Sequence, residues 1–238
     1  FLRSIKNIKI INFHNAITLP LSFFYKNKSK LIYDPHELES ETSKKNFITK
    51  YIVRIIEFTF IRYIDHIITV SESIAKWYEH YYNIKKPSVV LNFPKKKLFL
   101  KKKNFFRKKF NLEKNIKIFL YQGILTEEGR GINFLIDIFS KYKPRNSVIV
   151  FMGDGPYSNR IKNYSKRFEN IFYHQLIKEK FLPQYTASAD YGVHMMENTC
   201  LNHEYALPNK FFEYLNSGLP VIVSNLVEMS KFVKKYNC

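Results

Sequence analysis

The sequence predicts an α/β protein with parallel sheets that carry helices on both faces. Three observations lead to this prediction. Short apolar runs rich in Ile, Val, Phe and Tyr alternate with longer segments of helical period, and such alternation is typical of parallel sheets. The alternation occurs in both halves of the chain, on either side of a lysine-rich segment. The 238 residues are 45% hydrophobic, which is enough to build a sizeable core and excludes a disordered or disulfide-stapled chain.

The first half is expected to contain four strands and three helices. Ser71 is the expected N-cap of the third helix, which should end near Asn83. The apolar periodicity predicts strands at Ile8–Phe13, Lys30–Tyr33, His66–Val70 and Ser88–Leu91, and helices at Ile17–Lys26, Lys44–Arg62 and Glu72–Tyr82.

The second half repeats this pattern with five strands and five helices. Pro208 suits the first position of the fourth helix, because its missing N–H would be unpaired there in any case. The predicted strands are Ile116–Tyr121, Ser147–Phe151, Ile171–Tyr173, Tyr191–His194 and Pro220–Val223, and the predicted helices are Ile132–Lys141, Ser158–Arg167, Phe181–Ala187, Pro208–Ser217 and Val227–Lys235.

The lysine-rich segment, residues 95–110, carries nine Lys or Arg and no acidic residue. Because such a run repels itself, we place the domain boundary there: an N-terminal domain at 1–94, a basic linker at 95–112 and a C-terminal domain at 113–238. The segment is either a solvated linker or a surface for acidic lipid or nucleic acid, since Leu and Phe residues interleave with its charges.

Overall charge and cysteine content restrict the function classes. The net charge of +19 indicates an anionic partner, although part of it is what AT-rich coding would produce. Cys200 and Cys238 lie far apart without metal-type spacing, which favours a reduced, cytoplasmic setting. No apolar window is long enough to span a membrane. The chain starts at Phe1 rather than Met and runs at once into a predicted strand, so the given sequence does not allow a signal peptide to be read.

The loop after the first strand of the second half is a candidate phosphate site. The strand ends at Gly123, and Arg130, between two glycines, precedes the next helix. Glycines allow close backbone approach, a helix N-terminus favours anions, and a guanidinium can hold two phosphate oxygens. The alternative is a surface arginine in a flexible turn. Gly153 follows the next strand in a similar glycine turn, which favours a Rossmann-like layer more than it indicates a ligand.

A second candidate phosphate site lies at the helix that starts near Pro208. The free amides of Asn209 and Lys210 would point out of the helix start beside the Lys210 ammonium, a combination suited to a diphosphate. Glu213 follows within the first turns, where its carboxylate could accept hydrogen bonds from sugar hydroxyls. The alternative is that Glu213 is only a helix-favouring acid.

Several segments together carry a family resemblance. They are Ala206–Tyr214, Gly218–Ile222, Tyr121–Gly123 with Arg130–Gly131, Gly153–Pro156, Tyr33–Glu37, Val70–Ser73 and Leu91–Pro94. In order and spacing they resemble the retaining glycosyltransferases of family 4, which have the GT-B fold of two Rossmann-like domains facing across a cleft. The resemblance covers nearly the whole chain, and it is the combination of segments that makes it specific.

The resemblance implies an activity and roles for residues. It implies transfer of a sugar, of hexosyl type, from a nucleotide-sugar donor to a glycan or lipid-linked glycan acceptor, with retention, in cell-surface polysaccharide or lipopolysaccharide synthesis. Arg130 and Lys210 would hold the leaving diphosphate, and Glu213 would contact the nucleotide ribose. No metal or other cofactor is implied beyond the donor itself. The expected location is cytoplasmic, with possible attachment to the inner membrane face through residues 95–110.

The chain departs from the family pattern at four points. Where the family has the first glutamate of its glutamate pair, this chain has Tyr205, and Glu204 lies one residue earlier. Where the family often has a basic residue, directly after the glycine that corresponds to Gly123, this chain has Ile124. The N-terminal domain lacks its opening strand and glycine turn, and the chain stops early at Cys238. We therefore expect a chain shortened at both ends, and the alternative to a working enzyme is an inactive product.

His36 is the candidate for a functional histidine in the first half. It follows a strand, beside Asp34 and Glu37, and the resemblance implies that it orients the donor sugar or the acceptor. The alternative is a structural histidine that caps the following helix. His14, at another strand end, is a weaker candidate for a functional role.

Two rival functions remain at this stage. A nucleotide-sugar epimerase shares the architecture but needs no acceptor. A non-catalytic binder of acidic lipid or nucleic acid would depend on the basic charge, but the sequence contains no nucleic-acid-binding motif, so nucleic acid is not the expected partner.

Overall fold

The computed structural model describes residues 8–43, 46–94, 102–127 and 129–238. They divide into two compact units that are not continuous in sequence. Unit 1 comprises Phe1–Leu91, Asn198–Leu207 and Leu226–Glu228, and unit 2 comprises Asn92–Glu197, Pro208–Asn225 and Met229–Cys238.

Unit 1 is built on a four-stranded parallel sheet. Its strands are β1 (Ile10–Phe13), β2 (Lys30–Tyr33), β3 (His66–Thr69) and β4 (Ser88–Val89), and they lie side by side in sequence order. Phe13 of β1 pairs with Tyr33 of β2, so that these two strands end at the same level of the sheet.

Helices pack on this sheet around an aromatic and aliphatic core. Leu31, Tyr33, Ile74 and Tyr78 are among its fully buried members. The helices of unit 1 are α1 (Ser22–Tyr25), α2 (Phe47–Phe60), α3 (Glu72–Tyr82) and, far along the chain, α8 (Leu201–Glu204), with short 3-10 turns at Ala16–Leu21, Glu39–Glu41 and Ile61–Tyr63.

Unit 2 is built on a five-stranded parallel sheet. Its strands are β5 (Lys117–Ile124), β6 (Ser147–Asp154), β7 (Ile171–His174), β8 (Tyr191–His194) and β9 (Val221–Val223). The spatial order is β7-β6-β5-β8-β9, so the chain builds outward from β5 first to one side and then to the other. The strand order therefore reverses between β5 and β8.

Six helices surround this sheet in the described residues. Its core includes Ile149, Phe151, Ile161 and Ile171, all fully buried. The helices are α4 (Phe105–Phe110), α5 (Ile132–Asp137), α6 (Ser158–Arg167), α7 (Leu182–Thr186), α9 (Asn209–Asn216) and α10 (Val227–Tyr236), whose first two residues belong to unit 1.

The expected strands and main helices are present in the structure. All nine predicted strands occur, two of them, Lys30–Tyr33 and Tyr191–His194, with the predicted bounds. The predicted α3 is confirmed at both ends: the Ser71 side chain accepts from the N–H of Ile74, and Asn83 takes the left-handed conformation that ends the helix. The α/β class with parallel sheets is therefore confirmed.

The described part of the lysine-rich segment differs from a solvated linker. Residues 95–101 lie outside the described residues, but 102–110 belong to unit 2 and contain α4, a helix that the sequence analysis did not predict. Phe106 of α4 is fully buried, and Arg107 donates a hydrogen bond of 2.7 Å to Asp190. Arg107, Lys108 and Lys109 thus lie on a helix that aromatic rings anchor to the rest of unit 2, with Phe106 buried and Phe110 stacked on Phe172.

Helix ends and unit membership also differ from the prediction. The first predicted helix is mostly a 3-10 turn, and the helix predicted at Ile132–Lys141 continues from α5 into a π-helical turn at Ile138–Tyr142. Residues 198–207, placed in the C-terminal domain by the sequence, pack with unit 1. Within the described residues, no helix combines the length and apolar character needed to cross a membrane.

Candidate active site

The reversal of strand order between β5 and β8 opens a crevice at their carboxyl ends. The two strands pair only at Phe119 with Tyr191 and at Leu120 with Gly192. In open parallel sheets, ligands bind where the strand order reverses, outside the carboxyl ends of the strands. This edge of unit 2 is therefore the first place to look for a site.

Tyr214 fixes α9 in this crevice. Its hydroxyl accepts a hydrogen bond of 2.8 Å from the N–H of Gln122 on β5 and donates one of 3.2 Å to the carbonyl of Val193 on β8. The ring is fully buried, and a Cβ at Gly192 would lie 2.3 Å from its Cγ. Burial raises the pKa of this hydroxyl well above its usual value, so it stays protonated and bridges the two strands beyond their last paired residues.

Lys210 and Glu213 project from α9 beside the end of β5. The Lys210 Nζ lies 3.2 Å from each carboxylate oxygen of Glu213. The Gln122 amide donates a hydrogen bond of 2.7 Å to Glu213 and accepts one of 2.7 Å from the Thr186 hydroxyl. These contacts place an ammonium and a carboxylate at the crevice, both partly exposed.

Gly123 allows Lys210 to lie across β5. A Cβ at this position would be 3.3 Å from the Lys210 Cε, so the lysine chain would have to shift by a few tenths of an ångström, and the φ of +139° is one that residues with a side chain rarely adopt. Its register partner Gly153 is needed for a different reason, because a Cβ there would lie 1.8 Å from the Gly123 carbonyl oxygen. The two glycines predicted from sequence are thus adjacent, and they let the ends of β5 and β6 approach closely.

The start of α9 differs slightly from the prediction. Pro208 occupies the N-cap with extended backbone (φ −74°, ψ 149°) rather than the first helical position, which is Asn209. Within the described residues, no side chain caps this end. The first N–H groups of α9 therefore remain available to an anion next to the Lys210 ammonium.

Arg130 lies in the loop that leaves β5. It is partly exposed, and Gly131, which follows it, packs so closely on Met195 that a Cβ would lie 2.1 Å from the Met195 carbonyl oxygen. Burial raises the pKa of Tyr121 on β5 to about 12, and the nearby Arg130 charge opposes that shift. Lys210 contacts Gly123 and the Arg130 charge acts on Tyr121, so both predicted cations lie near β5.

A cavity of about 330 Å³ adjoins Glu213. Leu182 and Pro183 of α7 supply apolar walls, and Thr186 and Glu213 supply polar groups. Ligand pockets of this size are mostly apolar with a few placed polar groups. The cavity was not predicted from sequence, because α7 and α9 are far apart along the chain.

Tyr205 and Ile124 are the two residues at which the sequence departs from the family motifs. The Tyr205 side chain packs against the core of unit 1, and its carbonyl accepts a hydrogen bond of 2.7 Å from Ser71. Ile124 is 63% exposed at the end of β5. Neither side chain supplies a charge to the crevice.

His36 lies in unit 1, in a cluster that the sequence analysis did not assemble. Its Nε2 is 3.2 Å from the Nδ1 of His14, and Oδ2 of Asp34 is within 3.7 Å of both ring nitrogens. Asp34 was noted beside His36, whereas His14 was treated separately. The sequence did contain an indication that His14 and Asp34 lie close together, because each directly follows the last residue of a predicted strand.

Comparison with known proteins supports a glycosyltransferase. The family model described as "Glycosyl transferases group 1" matches residues 116–237, which include every residue of the crevice named above. A search of curated proteins found no significant match.

Solved glycosyltransferase structures share the fold at low sequence identity. An S. aureus TarM mutant in complex with Fondaparinux, alpha-GlcNAc-glycerol and UDP has a TM-score of 0.68 at 13% identity, covering 97% of this chain and 45% of its own. Anabaena HepE in complex with UDP has a TM-score of 0.73 at 15% identity, covering 94% of this chain and 62% of its own. The lipopolysaccharide outer core galactosyltransferase WaaB has a TM-score of 0.63 at 15% identity, with coverages of 92% and 57%.

These likenesses establish the fold, which is the α/β fold with parallel sheets of GT-B glycosyltransferases. The chain spans about half of TarM and about three fifths of HepE and WaaB. With the family model matched over more than half of its residues, the chain belongs to the glycosyl transferases group 1 family.

Proposed function

We propose that the protein transfers a sugar, of hexosyl type, from a nucleotide-diphosphate donor to a glycan or lipid-linked glycan acceptor, in cell-surface polysaccharide or lipopolysaccharide synthesis. The observation that carries this proposal is the placement of Lys210 and Glu213 on α9 against Gly123 and Gln122, at the reversal of strand order. The printed ligands of the structural neighbours, UDP and UDP-glucose, support a nucleotide-sugar donor.

The crevice has the chemistry that a leaving diphosphate requires. As the sugar–phosphate bond breaks, negative charge grows on the diphosphate, and the Lys210 ammonium, the Arg130 guanidinium and the first N–H groups of α9 stabilise it. Preorganised cations and dipoles of this kind lower the barrier because they need no reorganisation during the reaction. In this proposal they replace a metal ion at the diphosphate, and the donor is the sole co-substrate besides the acceptor.

The cavity beside Glu213 suits the nucleoside of the donor. Its apolar walls, Leu182 and Pro183, can cover a base, and the Glu213 carboxylate can accept hydrogen bonds from ribose hydroxyls. Gln122 and Lys210 already hold that carboxylate in one orientation. Glu213 would thus bind the ribose while the Lys210 ammonium, on the preceding turn, faces the phosphates.

The proposed reaction retains the configuration of the sugar. The acceptor oxygen forms a bond to the anomeric carbon on the face from which the diphosphate leaves, and the acceptor proton passes to a phosphate oxygen. The protein mainly positions both substrates and stabilises charge. In unit 1, His36 is the residue proposed to orient the donor sugar or the acceptor.

The decisive experiment is a binding panel. Uridine, guanosine, adenosine and cytidine diphosphates are each added to the protein, and the melting temperature is measured. A preferred nucleotide should raise the melting temperature by mass action. The variants Lys210→Ala and Glu213→Gln should lose most of this shift, whereas Lys166→Ala, which removes an exposed lysine on α6, should keep it.

Other outcomes would contradict the proposal. Equal shifts with all four diphosphates and with inorganic phosphate, lost at moderate salt, would indicate a non-specific basic binder. A preferred nucleotide whose sugar donor changes configuration without any acceptor would indicate an epimerase.

We also propose that the protein works at the cytoplasmic face of a membrane, and the support lies on α2. This helix is apolar on nearly every side, and a helix of that kind is normally covered on its outer face too. Its outward side chains are between 47% and 84% exposed: Phe47, Ile48, Tyr51, Ile52, Ile55 and Phe58. Nearby, the Lys26 ammonium lies 4.7 Å from the ring centre of Phe23, an arrangement suited to a lipid interface.

Vesicle flotation tests this location. The protein should float with vesicles containing anionic phospholipid and much less with neutral ones, and the double variant Phe47→Ser/Phe58→Ser should lose the association. The control Tyr142→Ser removes an aromatic side chain of similar exposure in unit 2. Equal flotation of the double variant and the control would contradict a role for α2.

A further inference from the structure

His14, Asp34 and His36 bring three metal-binding atoms together at one end of the unit 1 sheet. Nδ1 of His14 and Nε2 of His36 lie 3.2 Å apart, and Oδ2 of Asp34 lies 3.6 Å from the first and 3.7 Å from the second. A point equidistant from three atoms so spaced lies about 2.0 Å from each, which is the length of Zn–N and Zn–O bonds in proteins.

The backbone holds these residues in place. Phe13 and Tyr33 are register partners, so His14 and Asp34 leave the sheet side by side, and the N–H of Asp34 donates a hydrogen bond of 2.8 Å to the Phe13 carbonyl. The buried Glu39 carboxylate accepts a hydrogen bond of 3.1 Å from the N–H of Ala16. This contact joins the loop that follows His14 to the loop that follows His36.

The local charge favours a cation despite the basic character of the whole chain. Residues 31–43 contain four acidic residues and no Lys or Arg, in a protein of net charge +19. Of these four, Glu41 pairs with Lys50 and Arg54, which leaves Asp34, Glu37 and Glu39 as the acidic residues on which the argument depends. Two imidazoles and one carboxylate form a ligand set suited to zinc and related divalent transition metals, whereas Mg²⁺ prefers oxygen ligands.

We propose that His14, Asp34 and His36 bind Zn²⁺. In the present geometry one ring nitrogen shares a proton with the other, and the metal would replace that proton. The histidine side chains are 54% and 62% exposed, so the ion is accessible and keeps at least one coordination position for water or a ligand hydroxyl. The site includes His36, the residue proposed above to orient the donor sugar or the acceptor, so in this respect it rests on the proposed function; it is separate from the diphosphate site on α9, where the proposed transfer uses no metal.

Calorimetric titration of the full chain with Zn²⁺ tests the site. Cys200→Ser/Cys238→Ser serves as the background, so that thiols do not contribute. One Zn²⁺ should bind per chain. His14→Ala, Asp34→Asn and His36→Ala should each weaken zinc binding by at least about 100-fold, because loss of a residue that only hydrogen-bonds to a metal ligand already weakens metal affinity by up to about 100-fold. His80→Ala removes an exposed histidine on α3 and should bind zinc like the background protein.

Two further measurements separate ligand loss from misfolding. Co²⁺ should give a visible absorption band in the background protein that is absent in His36→Ala, and Zn²⁺ should raise the melting temperature of the former alone. Circular dichroism without metal should be the same for both. Failure of the background protein to bind zinc, or zinc binding by His14→Ala or His36→Ala as tight as that of the background protein, would overturn the proposal. Neither result depends on transferase activity.

Discussion

At the scale of single residues, Tyr214 links the sheet of unit 2 to the site. Its hydroxyl completes the hydrogen bonding of two buried backbone groups, on β5 and β8, where strand pairing has ended. The same ring lies against Gly192, and Tyr214 directly follows Glu213 in the sequence of α9. One side chain therefore sets the position of the residues proposed to bind the donor.

Replacing Tyr214 by Phe should destabilise the protein and weaken nucleotide binding together. The change leaves the Gln122 N–H without its acceptor, and an unsatisfied buried group costs about 1–3 kcal/mol. Chemical denaturation would measure the free energy of unfolding. Tyr236→Phe, at an exposed tyrosine, is the control; a Tyr214→Phe protein as stable as this control would contradict the bridging role.

A second buried residue, Glu57, organises unit 1. It accepts hydrogen bonds from three tyrosine hydroxyls: Tyr33 at 2.7 Å, Tyr78 at 2.5 Å and Tyr82 at 2.6 Å. Burial, followed by the Glu57 charge, raises the pKa of all three hydroxyls above their usual value. The tyrosines stay protonated and donate, which ties α2 to β2 and α3.

Glu57→Gln should therefore reduce the free energy of unfolding. The amide can accept at only one of its two terminal atoms, so at least one tyrosine hydroxyl loses its acceptor at a cost of about 1–3 kcal/mol. Glu79→Gln, the same change on α3 outside this cluster, should have little effect. Equal unfolding midpoints for the two variants would refute this account.

At the scale of elements, Asp190 fastens α4 to the sheet. Its carboxylate accepts hydrogen bonds from Lys102, from Arg107 on α4 and from the N–H of Ile118 on β5. Burial by itself raises the pKa of this carboxyl, but the Lys102 and Ile118 hydrogen bonds and the charges of Lys102 and Arg107 outweigh burial. The pKa therefore lies below the usual value of 3.8.

This depressed pKa predicts acid lability. The unfolded chain binds a proton at a higher pH than the folded protein, so the Asp190 contribution to stability is present above about pH 4 and is lost as the pH falls through the folded pKa. Unfolding free energies measured from pH 6 to pH 3 should fall less steeply for Asp190→Asn than for the parent protein. Parallel curves would show that the carboxyl has no such role.

The elements also show where local sequence was sufficient. The bounds of α3 were predictable because Ser71 is a local start signal and Asn83 a local stop signal. α4 was missed because its lysines indicate a solvated segment, whereas Phe106 and Phe110 place aromatic rings on unit 2. α8 is a single turn that packs with unit 1, and so short a segment carries no periodic signal.

At the scale of the whole molecule, the two units should respond differently to a nucleotide. In hydrogen exchange, the preferred diphosphate should slow the amides of 117–124 and 209–216, because those backbone groups form the crevice. The amides of 30–33 and 66–69, in the sheet of unit 1, should exchange at unchanged rates. Slowed amide exchange confined to unit 1 would contradict a donor site at α9.

The sequence by itself determined the α/β class and the approximate places of the nine strands, and it singled out the glycine, lysine and glutamate positions of the candidate site. These follow from local periodicity, from turn and cap residues and from the spacing of motifs. His36 was singled out in the same way, but its neighbour His14 comes close through strand register, which joins residues 22 positions apart.

Only the tertiary structure decided which residues share a site. Tyr214 reaches two strands, α7 and α9 enclose a cavity, and residues 198–207 pack with unit 1, all through contacts between segments distant in sequence. Such contacts depend on the order of the strands in the sheet and on which side chains pack together. Neither can be read from a short stretch of sequence. The physical reason is that burial and hydrogen-bond satisfaction are properties of the packed whole.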